Sequence, residues 1–202
     1  MENISVIRRS SNGITQLSLE TALLEKRIIV LNDEITKETA NRVIEQLIIL
    51  GDSEEPVTMI IGSNGGAIQD GMSIIDVMHA CSFPICTVAV GLAASFGAVL
   101  LAAGTKGRRY ISEHGRIMIH EPLISGGVGG NCTKINSIAK EILQVSHNMN
   151  QLLCDYTGQT MKTMSKLTSY DNYMDAEEAR KYGFVDRIIA GDELRKILAN
   201  KG

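Results

Sequence analysis

The feature that most constrains this chain is a stretch from Cys81 to Thr105 without one charged residue, largely apolar over 85–104. A run of that length could span a bilayer. Its interior argues otherwise. Pro84, Gly91, Ser95 and Gly97 interrupt it, and its first part is β-branched, with Ile85, Thr87, Val88 and Val90. A buried strand feeding a buried helix explains both observations.

The flanking sequence supplies more of the same alternation. Residues 27–31 and 57–61 read as apolar strands, with a short helix at 19–24 before the first. Thr36 is placed to cap a helix whose dipole suits Glu38 and whose apolar face is Ala40, Val43, Ile44, Leu47 and Ile48, ending at Gly51. The turn Gly62-Ser63-Asn64-Gly65-Gly66 opens a helix through about Cys81. A strand at 85–90, a helix at 94–103, short strands at 106–111 and 116–119 and a glycine-rich loop at 124–130 follow. A long helix over 133–157 carries the stripe Ile135, Ile138, Ile142, Val145, Met149 and Leu152. It outruns its neighbouring loops, so it is expected to project and pack on something else. Helices at 161–167 and 176–182 and a strand at 185–189 complete an α/β domain with a largely parallel sheet. Residues 1–18 are expected to form a polar, irregular arm ahead of a single domain at 19–202.

The chain has 202 residues, enough to bury a core without a metal or disulfide staple. Aromatics are 4% and Trp is absent, which disfavours a base-stacking nucleic-acid surface. A formal charge of −3 creates no field that would draw nucleic acid or anionic membrane. Cys81, Cys86, Cys132 and Cys154 form no Cys-x2-Cys pair, so reduced, buried thiols in a cytoplasmic protein are expected. The first residues lack the apolar core of a signal peptide.

Three residues suit nucleophilic catalysis. Ser95 follows a buried strand and the small-residue turn Gly91-Leu92-Ala93-Ala94, where a helix start offers free N–H groups and a positive dipole end. The pattern lacks the first glycine of G-x-S-x-G. An ordinary N-cap serine is the simpler account of that segment alone. His120 ends a strand before Glu121-Pro122, where an imidazole can face a cleft and act as a general base. His79, His114 and His147 are weaker rivals. Asp171 could orient such an imidazole, as could Asp155, Asp175 or Asp186. The glycine turn at 62–66 matches neither the P-loop nor the dinucleotide fingerprint; it reads as a plain turn or an oxyanion hole.

In combination these segments resemble the family of Clp protease proteolytic subunits (ClpP). The resemblance rests on Gly65-Gly66 with Gly71-Met72-Ser73-Ile74, on Ala93-Ala94-Ser95-Phe96-Gly97-Ala98, on Arg116-Ile117-Met118-Ile119-His120 and on Asp175-Ala176-Glu177-Glu178-Ala179. Leu23-Leu24-Glu25-Lys26-Arg27-Ile28-Ile29 is similar to the entry of the family's first strand. It runs in the family's order from about Leu19 to Ile189.

The resemblance implies a ClpP/crotonase-like fold and a self-compartmentalising serine endopeptidase with Ser95 as nucleophile, His120 as base and Asp171 as its orienting acid. The N–H groups of Gly66 and Phe96 would form the oxyanion hole. Residues 121–158 would be the handle interdigitating between two stacked heptameric rings, and residues 1–18 an axial loop. The implied partners are copies of the chain, a hexameric AAA+ ATPase and unfolded polypeptides, with no nucleic acid or membrane. No metal or organic cofactor is implied, ATP being used by the partner.

The chain departs from the family at four places. Asn64 replaces the proline of Ser-Pro-Gly-Gly, Ser169-Tyr170 replaces an Asp-Arg pair and Glu121 replaces glutamine, ahead of a loop about two residues longer. Thr58-Met59-Ile60-Ile61 lacks the tyrosines of the ATPase-docking strand. These changes fit a divergent second paralogue. The alternatives are a catalytically weak or inactive ring subunit that depends on a paralogue, a crotonase-type acyl-CoA enzyme with the same fold, and a membrane-associated relative of signal-peptide peptidases.

Overall fold

The computed structural model describes residues 5–10, 13–124 and 126–199. In chain order its elements are strands β1 (Ser5–Ser10) and β2 (Gly13–Ser18), helix α1 (Leu19–Leu24), β3 (Ile28–Leu31), α2 (Lys37–Ile49) with a 3₁₀ turn (Leu50–Asp52), β4 (Val57–Ile61) and α3 (Ile68–Ala80). Then come β5 (Ile85–Ala89), β6 (Leu92–Ala94), α4 (Phe96–Ala102), β7 (Arg109–Ser112), β8 (Arg116–Ile119) and α5 (Cys132–Thr157). The last are α6 (Met161–Thr168), β9 (Asn172–Met174), α7 (Ala176–Lys181), β10 (Arg187–Ile189) and α8 (Gly191–Leu198).

The main sheet is parallel throughout, in the order β10-β7-β5-β4-β3. Helices flank it, as the α/β reading expects. Every residue of β5 and every residue of α4 is buried, so the uncharged stretch is the centre of the molecule. No helix among the described residues is long and apolar enough to cross a membrane.

A second, three-stranded sheet runs β6-β8-β9, with β6–β8 parallel and β8–β9 antiparallel. The expected helix at 94–103 is therefore shortened. Ala94 ends a strand, and Ser95, at φ 53° and ψ −124°, breaks the chain sharply before α4 begins at Phe96. Helical geometry cannot propagate back through such a residue.

The N-terminal segment also differs from expectation. Residues Ser5–Ser10 and Gly13–Ser18 pair as an antiparallel hairpin in place of an irregular arm. In that register Val6 stands opposite Leu17 and Ile7 opposite Gln16. Residues 1–4 and 11–12 of that arm lie outside the described residues.

The end of β3 is held by an unusual clamp. Arg27, at φ 57°, sends its buried guanidinium to the carbonyls of Leu50, Ser53, Glu55 and Pro56 and lies 5.1 Å from the centre of the Phe83 ring. One side chain thereby ties down the loop between α2 and β4.

Helix α5 has 26 residues and spans about 39 Å at 1.5 Å per residue. Asn131 caps its start by accepting from the Lys134 amide, and Gly158, at φ 76°, ends it. Only Asn150, Leu153 and Cys154 are buried, so its first four turns project from the body with Ile135 and Leu143 exposed. Three cysteines are wholly or partly buried, but Cys132, at the start of α5, is exposed. All four are free thiols.

Candidate active site

The two sheets meet where the chain turns from β6 into α4. Ser95 sits on that turn in a conformation that non-glycine residues rarely adopt and that costs about 1–3 kcal/mol. The surroundings hold it there. The Ser95 amide donates to the Met118 carbonyl at 2.7 Å, and the Ala94 amide donates to the Ser63 carbonyl at 2.9 Å. The strained residue is thus stitched to β8 on one side and to the glycine turn on the other.

Strand β8 delivers His120 immediately after Ile119. Its Nε2 lies 2.8 Å from Ser95 Oγ. With the proton on Nδ1, Nε2 accepts the serine hydroxyl and can withdraw its proton as a nucleophile forms. Ser95 and His120 are both partly exposed at a cleft of about 570 Å³.

Asp171 arrives by register. The antiparallel pairing of β8 with β9 ends at Ile119–Asn172, so the next residues on each strand, His120 and Asp171, face one another. Their closest approach, Nδ1 to Oδ1, is 3.9 Å, an ion-pair distance beyond hydrogen-bonding range. Asp171 is 68% exposed, and nothing drier presses it against the imidazole. The structure thus joins Ser95 directly to His120 and leaves Asp171 adjacent.

The glycine turn faces the same cleft. Gly66, at φ +153°, bridges in parallel to Ile35, and the Ile35 carbonyl accepts from the Ala67 amide at 2.8 Å. A Cβ on Gly66 would lie 2.2 Å from the Ile35 oxygen, so that position requires glycine. Ser63 fixes the turn without a proline. Its hydroxyl donates to the Asp33 carbonyl at 2.5 Å and accepts from the Gly65 amide at 3.1 Å. Among the described residues, neither the Gly66 N–H nor the Phe96 N–H donates to an acceptor, and both residues line the cleft. Free amides beside a serine hydroxyl can stabilise a developing oxyanion.

The rival residues have other occupations. Asp186 pairs with buried Arg109 at 2.7 Å, Asp175 caps α7, and Asp155 accepts from Gln151 on the same helix. Burial would raise the Asp186 pKa, but hydrogen bonds from Arg109 and Gly107 and the Arg109 charge outweigh it and hold the carboxyl below its ordinary value. His114 and His147 are exposed outside the cleft. His79 lies 3.3 Å from the Tyr156 hydroxyl, whose pKa is pushed up to about 12 by burial and nearby Asp155 and Asp76.

Sequence reasoning missed part of the cleft. Glu34 lines it, and so do Asn150 and Thr168, which bond to each other at 2.9 Å. A polar Asn150 between Met149 and Leu152 on an apolar helix face was a usable signal. Glu34 had none, since it reaches the site only through the Ile35–Gly66 bridge. No group of three or more His, Cys, Asp or Glu among the described residues is placed to hold a metal ion.

An α/β domain that presents a strained serine against an imidazole, beside two free amides, has the geometry that nucleophilic acyl transfer requires. The family model described as Clp protease matches residues 11–192. The chain belongs to the Clp protease family and is a ClpP-type protein.

Proposed function

We infer that this chain is a serine endopeptidase subunit of a ring-shaped protease, with Ser95 as nucleophile and His120 as general base. The observation that carries this is the 2.8 Å Ser95–His120 contact beside the free amides of Gly66 and Phe96. A peptide carbonyl seated over Ser95 would be attacked by Oγ as His120 takes the hydroxyl proton. The oxyanion would be met by the two amides. His120 then gives its proton to the leaving amine, and an acyl-enzyme forms on Ser95. Water, deprotonated by the same imidazole, releases the acid and restores the serine. Asp171 acts as a positioning residue for the imidazolium. This chemistry draws on side chains and backbone amides alone.

The projecting half of α5, with apolar residues left in water, supports its role as a handle between stacked heptameric rings. Substrates would be unfolded polypeptides delivered by a hexameric AAA+ ATPase in the cytoplasm. The 3.9 Å gap between His120 and Asp171 favours a second reading, in which a paralogous ring brings the acid to bear. Fluorophosphonate labelling, with native mass spectrometry of the same sample, tests both. A labelled fourteen-subunit particle whose peptidase activity vanishes in Ser95→Ala supports the autonomous enzyme. Activity retained in Ser95→Ala would refute the assignment. Label that appears only after a paralogue is added supports the second reading.

A further inference from the structure

Among the described residues, two carboxylates and no Lys or Arg line the cleft. Glu121 follows the imidazole directly, and Glu34 adjoins Ile35, which bridges to Gly66 of the glycine turn. The remaining polar side chains there, among them Asn64, Gln69, Asn150 and Thr168, carry no charge. Among the described residues neither carboxylate has an ion-pair or hydrogen-bond partner, and both residues are exposed. Their charge is therefore uncompensated at the place where a substrate backbone must pass. The floor between them is apolar, with Phe96, Val99, Met149 and Leu153. An apolar side chain can fill that floor while its neighbours lie along the acidic rim.

We propose that Glu34 and Glu121 are specificity determinants that select polypeptides with Lys or Arg beside an apolar scissile residue and reject those with Asp or Glu there. This rests on the serine-peptidase reading of the cleft. Each partly solvated carboxylate contributes about threefold to the discrimination, the usual scale of an exposed ion pair. Two acting together, attracting one charge and repelling the other, give about tenfold or more between Lys and Glu. Screening flattens the preference at about 0.5 M salt, where the Debye length is about 4 Å.

The test uses internally quenched peptides with one central Leu flanked on either side by Lys, Gln or Glu, cleaved by the purified full-length chain, with the cut site read by mass spectrometry. Binding of the same peptides to Ser95→Ala, followed by fluorescence anisotropy, gives the discrimination without turnover. The expected result is kcat/KM and affinity in the order Lys, Gln, Glu. Glu121→Gln and Glu34→Gln should each shrink the Lys-to-Glu ratio about threefold, and the double variant should bring it near one. Equal handling of the three peptides, by a protein that cleaves the Gln peptide and takes a fluorophosphonate on Ser95, overturns this inference and leaves the peptidase reading intact. Failure to cleave, label or bind any peptide, with or without a paralogue, overturns both.

Discussion

Replacing Asp186 by Asn removes the charge from the most enclosed ion pair among the described residues while preserving its shape. The Arg109 side chain is 4% exposed and that of Asp186 is 18% exposed. The carboxylate accepts from Arg109 Nη2 at 2.7 Å, Arg109 Nε at 3.1 Å, the Arg109 amide at 2.9 Å and the Gly107 amide at 2.7 Å. The same guanidinium donates through Nη1 to the carbonyls of Ala102, closing α4, and Tyr156, in the last turn of α5. It therefore braces the two helices that wall the cleft. Stranding its charge should cost about 3 kcal/mol, the lower end for a broken buried pair, because Asn keeps one acceptor oxygen. For a domain of this size that is a fall of about 6–12 °C in Tm.

The sign of the pH dependence follows from the lowered Asp186 pKa. A carboxyl more acidic in the folded than in the unfolded state stabilises fully above the unfolded value. That stability is lost as pH falls through the folded value. Thermal unfolding of parent and Asp186→Asn at one protomer concentration should thus show the full gap near about pH 7, narrowing below about pH 4. A gap under about 1 kcal/mol at neutral pH, or one of equal size at about pH 3, would refute the reasoning.

Gly66→Ala should abolish peptidase activity while the chain still folds, because a Cβ 2.2 Å from the Ile35 oxygen must displace the turn that carries the amide; rates and circular dichroism on one sample decide it. Asp171→Ala should cost about tenfold or less in kcat in a particle with the 3.9 Å gap, and about a thousandfold wherever a paralogue closes it. Equal losses in both assemblies would count against a movable acid. Asp175→Ala removes the side-chain half of the capping box on α7, the bond that Oδ1 accepts from the Glu178 amide, and should destabilise by about 1 kcal/mol without altering peptide selectivity, as urea unfolding would reveal.

Elements governed by neighbours in sequence were legible without coordinates. The Thr36 cap, the α2 face apart from Ile48, which is exposed, β4, β5, the long helix and the exposed reach of its first half all follow from periodicity, capping chemistry and β-branching. Ser95 and His120 stood out because small residues and a strand end frame them. Strands β6 and β9, three residues each, carry too little pattern to be seen alone, and with them went the second sheet. Among four possible aspartates, local sequence could not choose. The β8–β9 register sets Asp171 opposite His120, and Arg109 claims Asp186. Glu34 likewise reaches the cleft only because Ile35 bridges to Gly66. Periodicity and caps are properties of a few adjacent residues, so the chain alone determined its elements and their apolar faces. Registers and distant pairings arise only when the sheets close, and tertiary structure therefore decided which of the polar residues meet at Ser95.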